Sequence, residues 1–203
     1  MYIPPHFANR DVCQLHDAIE AYSFALVVTG AGDNLVASHL PLLLDRTAGV
    51  QGTLLGHFAR ANSQWESAAG QRALVVFSGP HAYISPTWYA AERVVPTWNY
   101  IAVHAYGRLQ LIEDPAEVLA LLSRTVEYFE SSQPQPWRLA DQPAEFIERL
   151  AAQIVGFRIA IEQLEGKWKL NQNHPQERRE RVIAALSGQE SANSLAIARL
   201  MQD

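Results

Sequence analysis

The sequence predicts a mostly β fold with flanking helices, built around a barrel-like sheet. Short apolar or alternating runs bounded by turn residues recur before residue 113, and such spacing is typical of a closed or nearly closed barrel. Helical periodicity precedes the first of these runs and follows the last one. The 203 residues, 48% of them hydrophobic, are enough to bury the core of such a domain without cross-links.

The elements of the barrel-like part follow from local patterns. Asn9 is predicted to cap a helix that ends near Tyr22, with Val12, Leu15 and Ile19 on one face. The turn residues 30–34 predict a hairpin between the first two strands, and the pair Gly79-Pro80 is interpreted as a break. The predicted strands are residues 24–29, 35–40, 41–44, 51–58, 73–77, 83–85 and 101–112.

Helices dominate the remainder of the chain. Asp114, Pro115 and Glu117 form a strong helix start signal. Alternation of apolar and polar residues over 155–162 predicts the last strand of the sheet. Further helices are expected at residues 143–153, 175–186 and 191–201. We therefore expect a barrel domain over residues 1–170 and a helical appendage over 171–203.

Composition excludes several classes of protein. Cys13 is the single cysteine, so no intramolecular disulfide or cysteine-ligated zinc finger can form. The first residues lack the features of a signal peptide and no run is long enough for a membrane helix, so we expect a cytoplasmic protein that does not bind membranes. The formal net charge of −5 provides no global field that attracts nucleic acid.

Familiar catalytic and metal-binding motifs are absent from the sequence. Gly30 and Gly32 lack the third glycine and the helix of a dinucleotide-binding loop, and there is no Walker lysine, zinc-protease motif or nucleophile elbow. The seven histidines show no repeated ligand spacing. No metal and no catalytic residue are predicted.

Polar and aromatic residues are concentrated instead at the ends of predicted strands. Arg60 and Asn62 follow one strand, and Trp88 and Trp98 lie in two hydroxyl-containing aromatic segments. Arginine with hydroxyl and amide donors can hold a phosphate, while indole faces can cover a ring system. The mixture suits a flat, anionic, partly apolar ligand. The alternative is that these aromatic residues form a dimer interface or corners of the core.

Six sequence blocks, in the same order, resemble those of the PaiB-type, FMN-binding negative transcriptional regulators. The blocks are YIPPHF at 2–7, SHLP at 38–41, GHFARAN at 56–62, FSGPHAYISPTWY at 77–89, VPTWNY at 95–100 and GKWKLNQN at 166–173. The resemblance implies an FMN-binding split β-barrel and a homodimer with flavin at the subunit interface. One departure is Asn171, where the family more often has serine.

The resemblance also implies a set of cofactor-binding residues. Arg60 with Asn62 is expected to neutralise the phosphate, Ser38, His39 and His57 to line the isoalloxazine edge, and Lys169 to approach the phosphate or the dimer contact. The facing subunit or a covering loop is expected to supply Trp88, Thr97, Trp98 and Asn99. The full set is Ser38, His39, His57, Arg60, Ala61, Asn62, Trp88, Thr97, Trp98, Asn99 and Lys169.

Three functions remain open. The first is a flavin-binding negative transcriptional regulator. Its candidate DNA contact is the predicted pair of C-terminal helices, which resembles a helix-turn-helix in outline. The first of these helices contains Arg178, Arg179 and Arg181, and the second covers residues 191–201. The second is an FMN-dependent oxidoreductase that passes electrons from a reduced nicotinamide to a small substrate. The third is an interaction protein without a ligand. The first is the prediction, so the chain is not expected to be an enzyme.

Overall fold

A computed structural model describes residues 1–31 and 34–202 of the chain. Its eight-stranded sheet has the order β3-β2-β6-β7-β8-β5-β4, and β1 pairs with β8. The strands are β1 (Ala8–Asn9), β2 (Phe24–Ala31), β3 (Asn34–Pro41), β4 (Leu43–Asp45), β5 (Thr53–Ala59), β6 (Arg72–Ile84), β7 (Thr97–Ile112) and β8 (Ile154–Lys169). The mostly β fold is confirmed. The strands β3 and β4 lie at the two ends of the strand order and do not pair with each other, so the sheet is not closed into a barrel.

Helices flank the sheet as predicted, and the structure adds one short helix at Gln64–Ala68 that the sequence did not indicate. They are α1 (Val12–Ala21), α2 (Gln64–Ala68), α3 (Pro115–Glu130), α4 (Ala144–Ala151), α5 (Gln176–Ser187) and α6 (Ala192–Leu200). Short 3-10 helices cover Pro5–Phe7, Pro86–Tyr89 and Leu139–Asp141. None of the helices in the described part of the chain combines the length and the hydropathy needed to cross a membrane.

Capping residues explain where two of these helices begin. The Asp114 carboxylate accepts the backbone N–H of Ala116 at 2.9 Å, which confirms the start predicted for α3. The predicted Asn9 cap of α1 is wrong. Asp11 caps this helix by accepting the N–H of Cys13 at 2.9 Å, because Asn9 belongs to β1 and its side chain accepts the N–H of Asp11.

Three strands are longer than the sequence indicates. The predicted break at Gly79-Pro80 is wrong, since β6 continues through both residues. Gly79 serves close packing here, because a Cβ at this position would lie 2.4 Å from Cγ1 of Ile101. Strand β7 begins at Thr97 and β8 extends to Lys169. Thr97, Trp98, Asn99 and Lys169 therefore lie in strands.

The first hairpin is confirmed by the antiparallel pairing of β2 with β3, from Phe24 opposite Pro41 to Ala31 opposite Asn34. The predicted turn residues Gly32 and Asp33 lie outside the described residues.

The chain divides into two compact units. Unit 1 contains Met1–Tyr22, Phe77–His104 and Glu165–Asp203, and unit 2 contains Ser23–Val76 and Ala105–Leu164. Strands β6, β7 and β8 each contribute residues to both units. The boundary expected after residue 170 stays a prediction.

Each unit has buried apolar side chains. In unit 2, the rings of Phe58 and Phe157 pack at 4.7 Å between centroids, and both side chains are buried. In unit 1, helices α5 and α6 contribute to a buried cluster of Ala82, Ile84, Tyr89, Ile101, Leu170, Val182, Leu186, Ile197, Ala198 and Met201. The C-terminal helices therefore share the core of unit 1.

Candidate functional site

The predicted cofactor residues fall into two groups. Unit 2 contains Ser38, His39, His57, Arg60, Ala61 and Asn62, whereas unit 1 contains Trp88, Thr97, Trp98, Asn99 and Lys169.

Arg60 in unit 2 connects the end of β5 to the start of β8. Its Nε donates to the carbonyl of Ala152 at 2.7 Å, and its Nη2 donates to the carbonyl of Ile154 at 2.8 Å. The backbone N–H of Arg60 also donates to Gln153 at 2.8 Å. A guanidinium has five N–H donors, so this exposed side chain is held by the backbone and keeps further donors for an anion. Arg60 also lines a groove of about 510 Å³ with Trp65 and apolar residues of β7, α3 and β8.

Ser38 and Asn62 are joined through Gln64, a residue that the sequence reasoning missed. The Ser38 hydroxyl donates to Oε1 of Gln64 at 2.6 Å and accepts Nδ2 of Asn62 at 2.9 Å. The Gln64 side chain is 2% exposed, and its Nε2 donates to the carbonyls of Val27 and Val36. These carbonyls can only accept, so the orientation of the Gln64 amide is fixed. The hydroxyl proton of Ser38 is therefore used in the hydrogen bond to Gln64, so the Ser38 oxygen can only accept a hydrogen bond from a ligand.

The remaining members of the unit 2 group differ in exposure. His39 is exposed and its ring stacks on Phe24, with 6.0 Å between centroids. His57 is half-buried in β5, and burial lowers its pKa. The imidazole of His57 is therefore predominantly neutral near pH 7. Ala61 is exposed and contributes no polar side-chain atom.

An aromatic surface in unit 1 contains one of the predicted indole rings. Trp98 is 53% exposed and meets Tyr83 edge to face at 5.8 Å between centroids. Both line a groove of about 420 Å³ together with Trp88 and polar residues that include Gln189 and Ser194. Stacking against an exposed indole is available to a flat ring.

Asn99 lies elsewhere in unit 1. It is fully buried and its Nδ2 donates to Sδ of Met201 at 3.4 Å, while its Oδ1 has no partner among the described residues. A fully buried amide presents no surface to a ligand in this chain.

Lys169 ends β8 and donates from Nζ to the Thr97 hydroxyl. Burial, followed by repulsion from Lys167, lowers the pKa of Lys169. Asn171 follows with a φ of 63° and donates to the hydroxyl of Tyr89 at 3.0 Å. Asparagine tolerates this left-handed conformation better than most residues, which gives a local reason for the departure from the family pattern.

Comparison with known proteins identifies the family. A family described as "Putative FMN-binding domain" matches residues 1–163. The chain belongs to this family. The predicted cofactor, FMN, is thereby confirmed at the level of the family.

One relative of this family member matches its full length, and a second matches most of it. It is 36% identical over 204 residues to protease synthase and sporulation protein PAI 2 of Bacillus subtilis, covering 100% of this chain and 97% of that protein. An uncharacterized protein of Aspergillus fumigatus is 32% identical over 215 residues, covering 83% of this chain and 82% of that protein.

Solved structures support the fold of this FMN-binding family member. The flavocytochrome Anf3 from Azotobacter vinelandii has a TM-score of 0.59 at 14% identity, covering 82% of this chain and 72% of that chain. An FAD and heme binding protein from Mycobacterium smegmatis has a TM-score of 0.55 at 17% identity, covering 88% of this chain and 79% of that chain. At these identities, the likeness concerns the fold alone.

Proposed function

We propose that this protein binds FMN as a homodimer and acts as a negative regulator of transcription. The observation that carries the proposal is the 36% identity to PAI 2 over the whole of this chain, and the name of that relative refers to protease synthase and sporulation. Identity over the whole chain favours a shared cellular role more strongly than a shared fold does. The family match over residues 1–163 supports the flavin component of the proposal.

The donors and acceptors in each unit fit the chemistry of FMN. Arg60 and Lys169 are cations that suit a phosphate group. Asn62 and Ser38 offer a donor beside an acceptor, which matches the amide-like edge of the flavin ring. Trp98 offers an exposed face for the ring system. When bound, FMN supplies a group that accepts one or two electrons.

An exposed sheet edge in unit 2 supports the homodimer. Strand β3 lies at the end of the strand order, where Leu35 is 78% exposed and Phe24 of the adjacent β2 is 67% exposed. An edge strand with exposed apolar side chains is a surface that another copy of the chain can cover. Replacing Leu35 by glutamate is expected to shift sedimentation equilibrium toward the monomer, whereas Val50→Glu on an exposed loop serves as the control.

The helix pair α5 and α6 offers limited support for direct DNA contact. Arg179 donates to the carbonyl of Met201 at 2.9 Å, and Arg181 pairs with Glu177 at 2.5 Å. These two arginines are therefore held by their own chain, whereas Arg199 on α6 is exposed. The regulator proposal does not require that this helix pair itself reads DNA.

Flavin titration followed by transcript analysis tests the proposal. We expect the protein to quench FMN fluorescence on binding, and we expect deletion of its gene to raise a limited set of transcripts that re-expression lowers again. Unchanged transcripts would remove the regulatory role. Consumption of NADH by the FMN-loaded protein, with unchanged transcripts, would favour the oxidoreductase alternative instead.

A further inference from the structure

A groove of about 890 Å³ lies within unit 1. Helix α1, the end of β8 and helices α5 and α6 contribute to its wall. A groove of this size with aromatic and aliphatic lining is typical of a site for a small organic ligand. The larger side chains of this kind are Phe7, Tyr22, Ile101, Trp168, Leu170 and Leu200.

The groove and the predicted flavin site share no residue. The predicted cofactor residues all belong to the described part of the chain, and none of them lines the groove. Trp168 lines it and is the neighbour of Lys169 in β8. Because successive side chains of a strand point to opposite faces of the sheet, Trp168 and Lys169 lie on different faces. A ligand in this groove is therefore additional to the predicted flavin.

Hydrogen bonds within the chain hold two parts of the wall in place. Nε2 of Gln172 donates to the carbonyl of Trp168 at 2.6 Å, and its Oε1 accepts the N–H of Leu170 at 2.8 Å. Before α1, Nδ2 of Asn9 donates to Oε1 of Gln14 at 2.7 Å. A wall that is already ordered reduces the entropic cost of binding a ligand.

Arg179 differs from these amides because its donors are not all satisfied. Nη2 of this half-buried side chain donates to the carbonyl of Met201 at 2.9 Å. Its Nε is buried and has no hydrogen-bond partner among residues 1–31 and 34–202. Withdrawal of a charged group from water is unfavourable unless a partner replaces the lost solvation. The guanidinium of Arg179 therefore favours an additional acceptor.

Two carboxylates also line the groove, and neither forms an ion pair with Arg179 in the part of the chain that the structure describes. Oδ1 of Asp11 accepts the N–H of Cys13 at the start of α1, and Asp17 has an interaction of its own. With Arg10, the lining has two arginines and two aspartates. Selection for an anion therefore arises locally at Arg179.

We propose that this groove binds a small aromatic carboxylate. Arg179 pairs with the carboxylate, since the planar guanidinium matches the geometry of carboxylate oxygens. The rings of Phe7, Tyr22 and Trp168 accommodate the aromatic part of the ligand. The inference goes beyond the proposed function and does not require that the protein binds FMN.

Titration calorimetry of the full chain, with and without saturating FMN, tests the site. The probes are 2-naphthoate and 2-naphthalenemethanol, which share the same rings and differ in charge. We expect naphthoate to bind more tightly than the alcohol, and we expect FMN to leave its affinity unchanged. Loss of naphthoate binding in the presence of FMN would place the probe in the flavin site and overturn the proposal.

Arg179→Gln is expected to weaken binding of naphthoate about 10-fold to 100-fold, the range for hydrogen bonds to charged groups. Binding of the neutral alcohol is expected to change little, because the ring contacts are retained. Arg199→Gln, which removes an exposed positive charge from α6 of the same unit, is expected to leave both affinities unchanged.

Ala21→Trp provides a second variant, should Arg179→Gln fail to fold. Ala21 is exposed and lines the groove, so a large side chain there occupies the space of the ligand. Both probes are expected to bind at least about 10-fold more weakly. Ala192→Trp, at an exposed position of α6 outside the lining, is the control and is expected to change neither affinity.

The results separate this site from the proposed function. Binding of naphthoate by a protein that does not bind FMN would support the groove and contradict the flavin component of the proposed function. Unchanged affinity for naphthoate in either folded variant would overturn the groove while flavin binding stands. Failure of both probes to bind, with a shift toward the monomer in Ala21→Trp, would instead assign the groove to a contact between two copies of the chain.

Discussion

At the scale of single residues, Gln64 shows how a polar side chain can organise a candidate ligand surface without facing the ligand. Its amide is buried and joins Ser38 to the carbonyls of Val27 and Val36. Most buried side-chain polar atoms in proteins are hydrogen-bonded, and the amide of Gln64 follows this rule. The hydrogen-bonding groups that Ser38 and Asn62 can offer to a ligand therefore depend on the buried side chain of Gln64.

Replacement of Gln64 by leucine is expected to destabilise the protein by about 1 to 3 kcal/mol, because partners of the lost amide remain buried without a hydrogen bond. Urea unfolding measures this change. Gln133→Leu, at an exposed position, is expected to change stability by less than about 0.5 kcal/mol. Equal losses in the two variants would contradict the structural role of Gln64.

At the scale of elements, β7 and β8 approach closely at one glycine. A Cβ on Gly107 would lie 2.1 Å from the carbonyl oxygen of Ala160. Gly107→Ala is therefore expected to cost about 1 to 3 kcal/mol, since the backbone must move. Gly188 has a φ of −83° and no such clash, so Gly188→Ala is expected to stabilise by about 0.4 to 1 kcal/mol. Thermal unfolding of both variants measures these changes, and we expect a lower midpoint temperature for Gly107→Ala and a higher one for Gly188→Ala.

Helices α5 and α6 form an element pair that the core of unit 1 requires. Val182, Leu186 and Ile197 are buried, and each fully buried aliphatic side chain contributes about 1.5 to 3 kcal/mol. Truncation after Asn173 removes all three and exposes Ile84. We expect the truncated chain to lose its cooperative thermal transition in circular dichroism. A sharp transition at the original temperature would show that the helices are dispensable.

The elements with a local signal could be predicted from the sequence, and those defined by distant contacts could not. Asp114 and its proline mark the start of α3 within four residues of the chain. By contrast, continuation of β6 through Gly79 depends on packing against Ile101, and the partners of Arg60 are carbonyls at 152 and 154. The chemistry of the candidate residues was therefore predictable, whereas their hydrogen-bond partners were not.

At the scale of the whole molecule, half-buried histidines link stability to pH. Burial lowers the pKa of His57, His104 and His174. In the unfolded chain these groups take up protons near pH 6.5, whereas the folded chain does so only at lower pH. The contribution of these histidines to the free energy of unfolding is therefore fully present above about pH 6.5. It decreases as the pH falls below about 6.5 and through the lowered pKa values of the folded chain.

Urea midpoints measured between pH 7.5 and 5 are expected to decrease for this reason. His57→Gln should reduce the slope of that decrease, because it removes one of the groups. Gln133→Leu, which removes no titratable group and lies at an exposed position, serves as the control and is expected to keep the slope. A stability that rises toward pH 5 would contradict the assignment.

Each compact unit is assembled from separate stretches of the polypeptide, three for unit 1 and two for unit 2. No single proteolytic cut can release either unit as one uninterrupted fragment. Exchange of one contiguous gene segment with that of a homologous protein would likewise leave at least one unit with residues from both proteins. Chimaeras that preserve both units must therefore combine several crossover points rather than one.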